Sequence, residues 1–393
     1  MSEARSLDQQ AEEEERSNGA DVGDVDGDSA QEISFFSKRR ILQTLFVVVL
    51  LILAVYFLFP SLVGLEDALG NLDDAKLGWV AVAVVFGIAM FVTYITLFRG
   101  VVGGDELPLS WRESYEINMA ALAASRLFSA GGAGGIALTY WALRKAGMNA
   151  RRSSQRMIVF IALQYIFYPL AIIVCGVLLR TGVLSGKSSV ELTIIPAAIA
   201  GVLLGLGLLI ALIPQDFERR IAGWAQGHRR AALAKRLAKG PSALAEGLRE
   251  AFDLIRHPRR GALALIGASG FWATQIAILW ASFRAFDVSP PLAVLVMGFF
   301  LGMVANLIPF VPGGVGAVDA GLIGAFVLFG LPKDVCFTAV LIYRLVAFWM
   351  PMPPGIVAFF QLRGTVHGWE QEGRPIDRLG SPALARGTLT ARG

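Results

Sequence analysis

The chain has 393 residues, of which 55% are hydrophobic and only 17% charged, with a mean hydropathy of +0.59. Soluble globular domains carry about a quarter charged residues, so the composition excludes an ordinary soluble fold. The net charge of +4 decides little, because the basic residues gather in particular loops.

Residues 1–37 form an acidic N-terminal tail. Its first 33 residues hold eleven carboxylates against Arg5 and Arg16, too few apolar groups for a core, and the segment reads as disordered. Its Asp-Val-Gly-Asp-Val-Asp-Gly-Asp run lacks the bidentate Glu of a calcium loop. The first apolar run begins near Ile41, behind this tail, which does not match a cleavable leader. Lys38, Arg39 and Arg40 precede a span over 41–59, and Glu66, Asp67, Asp73 and Asp74 follow it. The positive-inside rule then puts the N-terminus in the cytoplasm. A second span, 77–98, returns to Arg99.

Between 114 and 143 the pattern changes. A moderately apolar helix over 114–128 runs into Ser-Ala-Gly-Gly-Ala-Gly-Gly at 129–135, then into an apolar stretch, 136–143, too short to span. Arg144, Lys145, Arg151, Arg152 and Arg156 follow directly. Basic flanks on both sides are satisfied by a hairpin that enters from the cytoplasm and turns at the glycines. Spans over 157–179 and 192–213 close the first membrane half, 38–213.

The loop 214–260 carries eleven basic residues against five acids. Within it Leu244, Leu248, Phe252 and Ile255 recur at helical spacing. One reading is an interfacial helix on anionic lipid; the plainer one is an orientation signal with an amphipathic helix packed on the protein. The second membrane half, 261–362, opens with a span over 261–283 and an external loop. Its own hairpin, 292–330, is entered from outside and is broken at Asn-Leu-Ile-Pro-Phe-Val-Pro-Gly-Gly-Val-Gly-Ala-Val-Asp, 306–319. A last span over 335–349 is interrupted by Pro351, Pro353 and Pro354 and resumes through Leu362, ahead of a polar, cytoplasmic C-terminal tail, 363–393.

Lipid offers backbone no hydrogen-bond partners, so broken helix at membrane depth survives only inside protein or beside a water-filled cavity. The two breaks share a pattern: a glycine cluster, a short apolar helix, a glycine, then a long span. Charge places them on opposite sides, the expectation for inverted repeats with a site at their interface. The fold class is therefore all-α, a polytopic membrane protein with two opposed re-entrant hairpins. Glycines also serve as plain packing points, the reading for Gly201, Gly205, Gly298 and Gly302.

Three ionisable residues fall within these segments: Arg126, Asp319 and Arg344. Each would cost about 2.5–3.5 kcal/mol at a helix centre, so each needs a partner or water. Asp319 lies in the first turn after the Pro-Gly-Gly-Val-Gly break, where the helix dipole favours negative charge. A guanidinium in a dry cleft suits bidentate contact with a phosphate, which makes Arg126 and Arg344 candidate phosphate ligands. The alternative is an Asp319–Arg344 salt bridge that only holds helices together. Cys175 and Cys336 lie in apolar runs and read as small core residues. The histidines show no ligand spacing, so neither a metal site nor a cofactor is expected. The glycine cluster lacks the Lys-Ser/Thr of a phosphate-binding loop, no Gly-x-Ser-x-Gly elbow occurs, and nothing motivates nucleic acid as a partner.

Pro309-x-x-Pro-Gly-Gly-Val-Gly316 with an acid three positions on, then Arg344 and Pro353-Pro-Gly355, resembles the lysylphosphatidylglycerol synthase transmembrane-region family. The likeness covers about 40–362. Asp319 stands where Glu is more usual, and Ile136 and Thr139 stand where many members have a Glu and an Arg. The resemblance implies a flippase-like membrane protein that moves a phospholipid or lipid-linked headgroup between leaflets of the cell membrane. The bifunctional members add a soluble aminoacyl-transferase domain, and no segment here corresponds to it. The expected substrate site comprises Arg126, Gly131, Gly132, Gly134, Gly135, Pro309, Pro312, Gly313, Gly314, Gly316, Asp319 and Arg344. The expected partners are the lipid and a separate lipid-modifying enzyme. The alternative is a membrane-embedded enzyme or subunit for aminoacyl or glycosyl transfer to a lipid carrier, with Asp319 as its acid or base.

Overall fold

The computed structural model describes residues 75–103, 109–127, 133–186, 189–212, 231–307 and 314–371. The acidic tail, the first span, Gly131, Gly132, Pro309, Pro312, Gly313 and the end of the C-terminal tail lie outside these residues. Every regular element among the described residues is helical. Among the described residues five helices are long and apolar enough to cross a membrane: Leu77–Val102, Ala150–Arg180, Val190–Ala211, Pro258–Arg284 and Lys333–Gln371.

Helix α1, Leu77–Val102, packs along α8, Pro258–Arg284, over their whole lengths. Lipid is as apolar as leucine, so this pairing depends on close packing rather than on water exclusion. Glycines supply it. A Cβ on Gly100 would lie 2.2 Å from the Ala264 nitrogen, and one on Gly267 would lie 2.2 Å from the Leu97 nitrogen.

Helices α2, Trp111–Leu127, and α3, Ala133–Lys145, pack together. A capping box starts α2: Ser110 Oγ accepts from the Glu113 N–H at 3.1 Å, and Glu113 Oε2 accepts from the Ser110 N–H at 2.6 Å. Helix α3 begins earlier than the sequence suggests. Gly134 and Gly135 belong to its first turn, and Gly135 is where α3 meets α2, with Ala121 O 2.5 Å from any added Cβ.

Helices α4, Ala150–Tyr165, and α5, Phe167–Arg180, form one crossing element bent at Ile166. Pro169 causes the bend, because it has no N–H for the Tyr165 carbonyl and its ring clashes there. The Trp272 indole donates to the Gln164 carbonyl beside the bend at 2.6 Å. Helix α6, Val190–Ala211, packs on α5. Among the described residues nothing lies within 4 Å of a Cβ added at Gly201 or Gly205, whereas Gly298 meets the Phe326 ring and Gly302 meets Leu322.

The amphipathic helix α7, Ala231–Arg256, lies on α4. Glu246 pairs with Arg151 at 2.7 Å, Glu250 pairs with Arg156 at 2.7 Å, and Gly247 sits over Ile158. This is the packed-on-protein arrangement of the two weighed above.

After α8 come α9, Leu292–Met303, a 3₁₀ turn over Val304–Leu307, and α10, Ala317–Leu328, which packs back on α9. A Cβ on Gly302 would fall 2.6 Å from Leu322 Cα, and one on Gly321 would fall 2.6 Å from Gly302 O. Helix α11, Lys333–Arg344, runs through a π-helical turn, Leu345–Trp349, into α12, Met352–Gln371. The expected interruption at the prolines is only this turn. Pro353 and Pro354 lie in the first turn of α12, where an N–H would have no intrahelical partner anyway. The helix also extends past Arg363, and Leu362, Val366 and Trp369 are buried. The Trp369 indole donates to Glu113 Oε1 at 2.8 Å and the Thr365 hydroxyl to Glu116 Oε2 at 2.6 Å, fixing α12 along α2.

Candidate functional site

The π-helical turn defines the site. In it the Met350 N–H donates to the Leu345 carbonyl five residues back, at 2.9 Å. Pro351 then offers no N–H to the Ala347 carbonyl four residues before it. An orphaned carbonyl at membrane depth costs free energy unless another donor reaches it. Arg126, at the end of α2, is that donor. Its Nη2 donates to Ala347 O at 2.9 Å, and its Nη1 donates to Phe348 O. Hydrogen bonds from a charged donor contribute about 1.5–3 kcal/mol each, enough to offset much of the cost of holding the guanidinium there.

Asp319 is fixed from the other broken region. Gly314 and Gly316 adopt φ +65° and +82°, the left-handed conformation that glycine takes without a Cβ clash. That turn aims the Gly316 N–H at Asp319 Oδ2, 2.7 Å away, so Asp319 caps the helix it begins. Its Oδ1 lies 2.7 Å from Arg344 Nε, with the two side chains 24% and 10% exposed. The structure thus gives Arg344 to Asp319, the internal pairing weighed as an alternative, and gives Arg126 to two carbonyls.

One ring joins the halves of the site. The guanidinium carbons of Arg126 and Arg344 lie 4.8 and 4.4 Å from the centroid of Phe348. Cation–π attraction lets two like charges share a small volume. Val346 and Met350, in and after the same turn, rest on Gly87 near the centre of α1.

Sequence reasoning missed the neutral polar groups around these ions. The Tyr343 hydroxyl donates to Gln275 Oε1 at 2.9 Å, and both side chains are buried. Tyr94 and Tyr343 are close enough to Arg126 to feel its charge. A glutamine and two tyrosines inside apolar spans were the available signal. Phe348 had none, being one apolar residue among many. Gly135 serves the packing of α3 on α2, and Gly134 lies in the first turn of α3. Cys175 and Cys336 are free thiols, and no cluster of His, Cys, Asp or Glu among the described residues could hold a metal ion.

With five membrane-length helices among the described residues and an ion cluster between interrupted ones, the chain is a polytopic α-helical membrane protein. It belongs to the family described as lysylphosphatidylglycerol synthase TM region, whose model matches residues 39–355. It is also similar to UPF0104 membrane proteins of Methanothermobacter thermautotrophicus. One match is 30% identical over 89 residues, covering 23% of this chain and 25% of the relative. Another is 33% identical over 87 residues, covering 22% and 26%. The chain thus spans about a quarter of the length of the curated relatives it matches.

Proposed function

We propose that this protein is a flippase-like carrier of the cell membrane that moves a phospholipid or lipid-linked headgroup between leaflets. The observation that carries the reading is the Arg126–Phe348–Arg344–Asp319 cluster, held between two interrupted helical regions. Intramembrane ions are costly and tend to mark pathways. In this reading α2 with α3, and α9 with α10, are re-entrant hairpins of an inverted repeat, the first entered from the cytoplasm and the second from outside. Both pairs close on glycine contacts of similar kind, at Gly135 and at Gly302 with Gly321, which supports a common origin. Both termini are cytoplasmic.

During transport the phosphate would take up guanidinium donors now given to the Ala347 and Phe348 carbonyls, while the acyl chains stay in lipid. One half rocking against the other would expose the cluster to each side in turn. The enzymatic alternative is less well supported. Asp319 holds Arg344 with one oxygen and the Gly316 N–H with the other, which leaves it poorly placed to shuttle protons. A separate lipid-modifying enzyme fits the reading as a partner that supplies the lipid.

The test is a leaflet assay on the full chain in vesicles, with tail-labelled phospholipid and an impermeant quencher. Faster exchange than in empty vesicles is expected, with the gain lost in Arg344→Ala and in Asp319→Ala. Exchange unchanged by both substitutions would remove these residues from the mechanism.

A further inference from the structure

Helix α7 also walls a groove. Beside the bend of the α4–α5 element, a groove of about 160 Å³ opens between three helices. Ile166 and Pro169 line it from the bend, Leu203 and Gly207 from α6, and Phe252 and Ile255 from α7. None of its lining residues belongs to the Arg126–Asp319 cluster. The side chains that line it are all apolar, so water gains no partner there and hydrocarbon is the better filling. Its volume is of the order of an apolar cavity that takes a benzene ring, enough for part of one acyl chain. An α-helix, about 10–12 Å across, does not fit. The α6 wall is open: among the described residues Val202, Leu203 and Leu206 are exposed, and nothing lies within 4 Å of a Cβ added at Gly207.

Charge gathers at the edge of this groove. Arg256 follows Ile255 directly and is exposed, as are Arg259 and Arg260 at the start of α8. Arg249, seven residues before Arg256, shares its stripe of α7, with Phe252 between them. The Arg249 Nε donates to the Ala245 carbonyl at 3.1 Å, which lays the side chain along the helix. The acids on this part of α7 face other cations: Glu246 meets Arg151, Glu250 meets Arg156, and Asp253 lies 3.0 Å from His257. An apolar slot with guanidinium groups at its rim matches an amphiphile with a hydrocarbon tail and an anionic head.

We propose that the groove holds one acyl chain of an anionic phospholipid whose phosphate is taken by Arg256, with Arg249 beside it, as a resident lipid that joins α7 to α6 and the bend. This site is separate from the ion cluster and does not depend on the carrier reading.

The experiment is acyl-chain photolabelling of the full chain in phosphatidylcholine vesicles. The probes are trace phosphatidic acid and trace phosphatidylcholine, each with the same photoreactive group midway along one acyl chain. Labelled peptides around Leu203–Gly207 and Phe252–Ile255 report the groove, and the exposed face of α1 at Val85, Ile88 and Val92 reports bulk lipid. Relative to that reference, phosphatidic acid should label the groove about fivefold more than phosphatidylcholine, the factor that one basic side chain near a lipid surface supplies. The preference should survive about 0.5 M salt, which screens diffuse attraction. Gly207→Leu extends into open space, so it should fill the groove, cut labelling there by a similar factor and leave the α1 reference unchanged. Arg256→Gln should bring the two lipids to within about twofold of each other. Equal labelling by both lipids, a preference lost in salt, or labelling untouched by Gly207→Leu overturns the proposal. A preference that survives both Arg256→Gln and its combination with Arg249→Gln overturns the headgroup assignment. A groove that neither lipid labels while α1 is labelled also overturns it, and shows that another part of this chain or a second copy fills the slot.

Discussion

Arg344→Ala tests the ion pair. The substitution leaves Asp319 with only the Gly316 N–H, and its side chain is 24% exposed. Removing one partner of a buried pair costs about 3–5 kcal/mol. The partial exposure and the surviving cap put this case near the lower end, at about 3 kcal/mol. Asp319→Ala loses the cap as well, about 1 kcal/mol, and leaves the Arg344 guanidinium over Phe348 without its carboxylate. Removing both partners leaves no uncompensated member of the pair, so the double variant should cost less than the two single losses together, by about 1.5–3 kcal/mol. Unfolding in mixed detergent, followed by tryptophan fluorescence, gives the three numbers. Additivity within about 0.5 kcal/mol would mean that the contact carries no coupling and that the reasoning fails.

Other consequences follow from particular contacts. Pro351→Ala restores an N–H for the Ala347 carbonyl, so Arg126→Gln should cost about 1–2 kcal/mol less in that background, read by the same unfolding assay. Gly316→Ala forces a Cβ into φ +82° and should cost about 1–2 kcal/mol in the same unfolding assay. Gly267→Val, whose side chain would meet the Leu97 backbone, should abolish monodisperse purification, whereas Gly205→Val, which meets nothing among the described residues, should change stability by no more than about 0.5 kcal/mol. Glu246→Ala with Glu250→Ala should raise hydrogen exchange in α7, while the partly exposed pairs cost no more than about 1 kcal/mol each.

Much of the fold is legible in the residue pattern because a membrane permits few solutions. Apolar length alone locates α1, α6 and α8, and the spacing of Leu244, Leu248, Phe252 and Ile255 locates α7. The ends of elements are less legible. Gly134 and Gly135 read as a break because glycine is a poor helix former, yet both lie in the first turn of α3, and the missing side chain of Gly135 lets α3 lie on α2. The proline group at 351–354 reads as an interruption, but a π-helical turn and an arginine from another helix absorb the lost donors. The three ions within the helical segments are legible from cost alone. Their partners are not, because Arg126 pairs with carbonyls 221 and 222 residues away, and no local pattern encodes which backbone group will be orphaned. Tyr343 and Gln275 meet for a similar reason: a hydrogen bond across 68 residues is set by helix packing, not by spacing.

Access to the cluster from opposing sides is what the carrier account needs most, and single-cysteine labelling measures it. Ser125→Cys reports on the first helix pair and Val315→Cys on the second, each in a cysteine-free chain in sealed, oriented vesicles. With an impermeant thiol reagent, Ser125→Cys should react from the cytoplasmic face and Val315→Cys from the opposite face. Labelling of both from the same side would contradict opposed entry and, with it, the carrier.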